Sequence, residues 1–144
     1  MLKKSVQYEA VKNDVLHRSD HPTADMVYFN VRRNLPRISL ATVYRHLENL
    51  SLKGLIHKFS VSDEPEHYDN VKGEHFHIYC QSCGRIYDIP INLLTHLQMI
   101  AFKTAKIKVN HYQLLVYGIC QQCKTTNAKV REYRTHPKAK IRHD

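Results

Sequence analysis

Apolar positions in the first third of the chain recur with a helical period. Val6, Ala10, Val11, Val15 and Leu16 share a face if residues 5–18 are helical. Thr23 is a good N-cap for a second helix running to about residue 34, with Asp25 in its first turn and Met26, Val27, Phe29 and Val31 on its apolar side. Pro36 interrupts the pattern. Ser39 then caps a third helix, 40–51, which stops before Gly54. Leu40, Val43, Leu47 and Leu50 face a core, and Thr42, Arg45, His46 and Asn49 lie on other faces.

The period then changes. Residues 55–60 alternate like a strand, 62–65 form a turn, and 66–69 return as an antiparallel partner. Residues 75–79 and 85–89 look like strands, 92–102 like an apolar helix, and 106–120 like one or two further strands. The fold class is therefore α+β. Three helices followed by a β-hairpin is the order of a winged helix, whose third helix enters the DNA major groove. The expected division is 1–68 for that module, 69–123 for a small α/β domain, and 124–144 for a basic tail, disordered or loosely helical.

Charge sharpens this division. The chain of 144 residues has a formal charge of +9. Residues 1–60 carry 10 Lys/Arg against 5 Asp/Glu, 61–123 carry 5 against 6, and 124–144 carry 7 against 2. The excess lies in the first module and the tail, which suits a polyanion-binding module joined to one with another task. A generic basic protein is the competing reading. No stretch approaches the roughly 18 apolar residues of a membrane span. The N-terminus has no apolar signal region, so a soluble cytoplasmic protein with no membrane partner is expected.

All four cysteines occur in Cys-x-x-Cys pairs, Cys80/Cys83 and Cys120/Cys123, separated by 36 residues. That spacing lets two thiolates converge on one tetrahedral ion, and two pairs complete a structural Zn²⁺ site, one per subunit. A secreted disulfide framework would need a signal peptide, and a redox dithiol explains one pair but not two.

Five residues outside these pairs also bear on metal binding: His21, Asp69, His75, His77 and Asp88. In a strand, the one-residue spacing of His75 and His77 points both rings to one face, where they can share an ion. Asp88 follows Cys83 by five residues, Asp69 ends the hairpin, and His21 precedes the second helix. Spacing alone does not assemble these five, and with 11 histidines some clustering is expected by chance.

At this point the chain resembles the ferric uptake regulator (Fur) family of bacterial metal-dependent repressors. The words are His21-Pro-Thr-Ala-Asp25, Ser39-Leu-Ala-Thr-Val-Tyr-Arg-His-Leu47, Gly54-Leu-Ile, His75-Phe-His77-x-x-Cys80-x-x-Cys83-Gly84 and Tyr117-Gly-Ile-Cys120-x-x-Cys123, in family order over about four-fifths of the chain. The resemblance implies a homodimer with a winged-helix DNA-binding domain and a dimerisation domain holding the Cys₄ zinc. It further implies that His21, Asp69, His75, His77 and Asp88 form one regulatory Fe²⁺ or Mn²⁺ site per subunit. Iron-sensing members usually place glutamate at one or both carboxylate positions, whereas peroxide-responsive repressors (PerR) use aspartate, as here. The family precedent is oxidation of a ligand histidine, which maps to His21 or His75.

The implied function is a transcriptional repressor, not an enzyme, that binds a double-stranded, AT-rich palindromic operator and releases it on peroxide stress. Ser39, Thr42, Tyr44 and Arg45 are the DNA-contacting candidates. The alternative within the family is a sensor of iron or zinc levels that ignores peroxide. A metal-dependent hydrolase would leave the basic helical segment unexplained. The chain departs from the family in three ways. A helix usually precedes the position of residue 1, and the family's Thr-Pro-Gln-Arg word appears only as Ser5-Val6-Gln7-Tyr8. Phe76 and Tyr112 replace ligands of a further metal site, which is expected to be absent. Arg45-His46 stands where peroxide sensors often carry asparagines, closer to iron-responsive members.

Overall fold

The computed structural model describes residues 5–61, 63–70, 72–90, 93–112 and 114–126. The chain divides into two units, Met1–Glu74 and His75–Asp144.

The first unit begins with three helices: α1 (Val6–Leu16), α2 (Ala24–Val31) and α3 (Leu40–Leu52). Each starts at a hydroxyl residue that accepts an otherwise unpaired amide of the first turn: Ser5 from Tyr8, Thr23 from Met26 and Ser39 from Thr42. The helix expected to reach residue 34 ends at Val31, where the amides of Arg33 and Asn34 close tighter turns onto the carbonyls of Asn30 and Val31. Val11, Val15, Val27, Val43, Leu47, Leu50 and Ile56 are fully buried where the helices meet. Each such side chain contributes about 1.5–3 kcal/mol by leaving water.

His46 differs from expectation. It is 8% exposed and packs edge-on against Tyr8, ring centroids 5.5 Å apart. Its position between Val43 and Leu47 places it at the margin of the apolar stripe, and α1 covers it.

A two-stranded antiparallel ribbon follows, β1 (His57–Phe59) and β2 (His67–Asp69), with His57 opposite Asp69 and Phe59 opposite His67. Lys58 ties the ribbon to α3 through Glu48 at 3.0 Å and lies 3.6 Å from Glu66. Tyr68, in the middle of β2, joins the helical core, and burial pushes its hydroxyl up to about 12.

The second unit contains a three-stranded sheet in the order β4 (Ile86–Ile89), β3 (Phe76–Cys80), β5 (Leu115–Gly118). β3 pairs antiparallel with β4 and parallel with β5. α4 (Leu94–Ala105) supplies the crossover, and α5 (Gln121–Thr125) ends the described chain. None of the residues of α4 is buried, and Leu97, Met99, Ile100 and Phe102 are exposed.

The start expected for this helix, Asn92, lies outside the described residues, and its far end extends past Phe102 to a left-handed cap at Lys106. Of the strands expected over 106–120, only β5 forms among the described residues. Residues 106–112 have no pairing neighbour there, and Ile107 is 57% exposed. Alternation alone does not make a strand without a neighbouring edge. Most of the basic tail, 127–144, lies outside the described residues. Among the described residues, no helix is long and apolar enough to cross a membrane.

Candidate metal centres

The cysteine cluster follows directly from the sheet. Cys80 ends β3, and the Cys80–Cys83 turn is closed by the Gly84 amide donating to the Cys80 carbonyl at 2.8 Å. Gly84 adopts φ +75°, a left-handed conformation that strains any residue with a Cβ. Parallel pairing places Gly118 beside Cys80, so the chain leaving β5 delivers Cys120, at the N-cap of α5, and Cys123 in its first turn. One ligand atom from each cysteine lies within 4.8 Å of the others, and the Cys83 and Cys120 sulfurs are 3.9 Å apart. Bonds of about 2.3 Å to a tetrahedral zinc-sized ion give a sulfur–sulfur edge of about 3.8 Å, so the four residues fit such an ion.

The electrostatics point the same way. Burial opposes ionisation of Cys80, yet the backbone amides of Cys83, Cys120 and Ser82 outweigh it and hold the thiol at about 6. The Cys120 amide donates to the Cys80 sulfur at 3.3 Å. The amide of Cys123 likewise lowers Cys120. Ser82 favours the Cys123 thiolate, but burial and the three neighbouring sulfurs push that thiol up to about 11. Four thiolates so close together need a cation before all can ionise.

Beyond the ligands, the Tyr87 hydroxyl bonds Cys120, and Arg85 bonds both Tyr87 and Gln122, the latter at 3.0 Å. Tyr87 and Arg85 carried no signal in the sequence, since neither belongs to a metal-binding word.

The five remaining metal candidates fall into two groups, one in each unit. In the first, His21 and Asp69 are each 4% exposed, with a ring nitrogen and a carboxylate oxygen within 4.8 Å. His21 adopts φ +51°, a left-handed backbone costing a non-glycine residue about 1–3 kcal/mol unless its surroundings enforce it. In the second, His77 and Asp88 are register partners across β3 and β4, with Nδ1 and Oδ1 2.9 Å apart. Nε2 of His75 lies 3.8 Å from the same carboxylate oxygen, and the His75 and His77 rings meet edge-on at 4.8 Å. Each group is a compact set of nitrogen and oxygen donors of the kind that suits a divalent first-row metal.

The DNA-contacting candidates all lie at or on α3. Tyr44 and Arg45 are exposed, whereas the Ser39 hydroxyl is committed to the helix cap and to Thr42 Oγ1 at 2.9 Å.

Residues 2–117 match the model of the ferric uptake regulator family. The chain belongs to the ferric uptake regulator family. Among curated relatives, it is 32% identical over 117 residues to the peroxide operon regulator of Bacillus subtilis, covering 81% of each chain. Among solved structures, it is 33% identical to the peroxide stress regulator of Campylobacter jejuni, with a TM-score of 0.65, covering 81% of this chain and 88% of that one. The ferric uptake regulator of Helicobacter pylori shares the fold, with a TM-score of 0.76 at 24% identity, covering 85% and 83%. These Fur-family relatives bear the names of regulators, not of enzymes.

Proposed function

We propose that this Fur-family protein is a metal-dependent transcriptional repressor that senses hydrogen peroxide through oxidation of a ligand histidine. The observation that carries this reading is the use of aspartate at both carboxylate positions, Asp69 beside His21 and Asp88 bonded to His77. Relatives named for peroxide response support it.

On this reading the first unit is a winged helix. α3 enters the major groove with Tyr44 and Arg45 outward, and the β1–β2 ribbon forms the wing. The second unit is the dimerisation domain. The exposed apolar side chains of α4 support self-association, which would pair two winged helices over a palindromic operator. Cys80, Cys83, Cys120 and Cys123 hold structural Zn²⁺, the ion favoured by four thiolates.

His21, Asp69, His75, His77 and Asp88 hold regulatory Fe²⁺ or Mn²⁺, closing the two groups of donors on one ion. Bound Fe²⁺ would supply the electron that reduces hydrogen peroxide and so generate an oxidant beside the imidazoles. His21 and His75 are the rings expected to take up oxygen. An oxidised ring binds metal poorly, the ligand groups of the two units separate, and operator binding is lost.

Fe-loaded and Mn-loaded proteins are treated with stoichiometric hydrogen peroxide and their peptides analysed by mass spectrometry. One added oxygen on a peptide containing His21 or His75, in the Fe form only, with loss of operator binding, is expected. An unmodified Fe form would leave a metal-level sensor of the same family as the better reading.

A further inference from the structure

The strand that carries Asp69 also holds the loop that carries His21, through every residue around the aspartate. At the start of β2, Nδ1 of His67 lies 2.7 Å from the His21 carbonyl. The next residue, Tyr68, donates its amide to the Pro22 carbonyl at 2.9 Å. Thr23 and His67 form an isolated antiparallel bridge. Beyond Asp69, Nδ2 of Asn70 lies 3.0, 2.7 and 2.8 Å from the carbonyls of Val15, Leu16 and Arg18. These carbonyls end α1 and begin the loop, where no helical amide remains to satisfy them.

The chemistry of His67 fixes the direction of its bond. A carbonyl only accepts, so the Nδ1 proton must be present and must point at His21. Among the described residues the buried Nε2 has no hydrogen-bond partner, and the ring is 8% exposed, stacked on Phe59 at 5.7 Å. That packing leaves His67 one orientation, with its donor aimed at a backbone held at φ +51°. A left-handed histidine reverts unless something holds it, and here the holder belongs to the strand of the neighbouring ligand.

We propose that His67 and Asn70 are positioning residues that clamp the His21 loop to the Asp69 strand, setting these two ligands relative to each other before a regulatory metal binds. Neither touches the ion. Their effect is to remove the cost of ordering the loop when the ion arrives. The inference rests on the regulatory-site reading above for its functional consequence, while the clamp itself is a property of the first unit alone.

The test uses zinc-loaded full-length protein and the variants His67→Phe, which keeps the stacked ring but removes the donor, His67→Asn, which restores a donor near the Nδ1 position, and Asn70→Ala. Two quantities are measured on each: Mn²⁺ affinity by titration, and hydrogen exchange of the Tyr68 amide without Mn²⁺. His67→Phe and Asn70→Ala are expected to weaken Mn²⁺ binding about 10–100-fold and to speed Tyr68 exchange, with zinc content unchanged. His67→Asn should recover most of both losses.

Wild-type affinity and exchange in both His67→Phe and Asn70→Ala would overturn the proposal, as would a His67→Asn variant no better than His67→Phe. A wild-type protein that takes up no Mn²⁺ overturns the regulatory-site reading instead, and the exchange comparison then decides the clamp by itself.

Discussion

His77 and Asp88 face each other across β3 and β4, and the imidazole and carboxylate meet at 2.9 Å. The contact depends on the aspartate side chain being short. In an antiparallel pair the side chains of opposed residues leave from the same face, so the reach of each decides where its head group sits. A glutamate at this position would carry its carboxylate one methylene farther and swing it away from the His77 ring or past it.

Asp88→Glu is therefore expected to keep metal-dependent operator binding while losing the close ligand geometry that peroxide chemistry needs. Displacements of about 1 Å cost on the order of 10²-fold in reactive systems. Oxidised peptide yield after peroxide treatment of the Fe form should fall at least tenfold relative to wild type. An undiminished yield in Asp88→Glu would show that the carboxylate's length plays no part in sensing.

The two faces of α3 allow binding to be tested apart from stability. Arg45 is exposed, whereas Leu47 is fully buried two residues later. Arg45→Ala should weaken operator binding by about 1–3 kcal/mol if the guanidinium reads a guanine, and leave the unfolding midpoint unchanged. Leu47→Ala should instead cost about 2–5 kcal/mol of stability by opening a cavity among α1, α2 and α3. Operator titrations and denaturant melts of the two variants make the comparison. Equal operator affinity in Arg45→Ala and wild type would remove Arg45 from the reading surface.

What was legible in the sequence had local causes. Thr23 and Ser39 announce helix starts because a cap acts within three residues. The cysteine pairs announce a tetrahedral site because two residues is the span of a metal-binding turn. What escaped was made by distant contacts. His67 reaches a carbonyl 46 residues away, and Asn70 reaches carbonyls 52 to 55 residues away, so neither residue stands in any recognisable word. His46 is buried against the periodicity because a residue at the edge of an apolar stripe is buried or exposed according to what lies across from it, here Tyr8.

Cys120 joins the two cysteine pairs. Its amide and sulfur both engage the other pair, so Cys120→Ser removes a ligand where two chain segments are joined. Loss of zinc, a shift from dimer to monomer in sedimentation velocity, and loss of operator binding are expected together. A zinc-free variant that stays dimeric would confine the ion's role to the local fold.

The burial of His46 gives the first unit a pH dependence whose sign is fixed. Desolvation, and after it the charge of Arg45, lowers the imidazole below its usual 6.5. In the unfolded chain the ring titrates near 6.5. As pH falls through that value, the unfolded state takes up a proton that the folded state resists, so stability falls. Above it both states are neutral and the effect vanishes. Denaturant unfolding of the wild type should lose more stability between pH 7.5 and 5.5 than unfolding of His46→Leu, which has no proton to bind. An identical pH dependence in the two proteins would show that His46 is free to charge in the folded state.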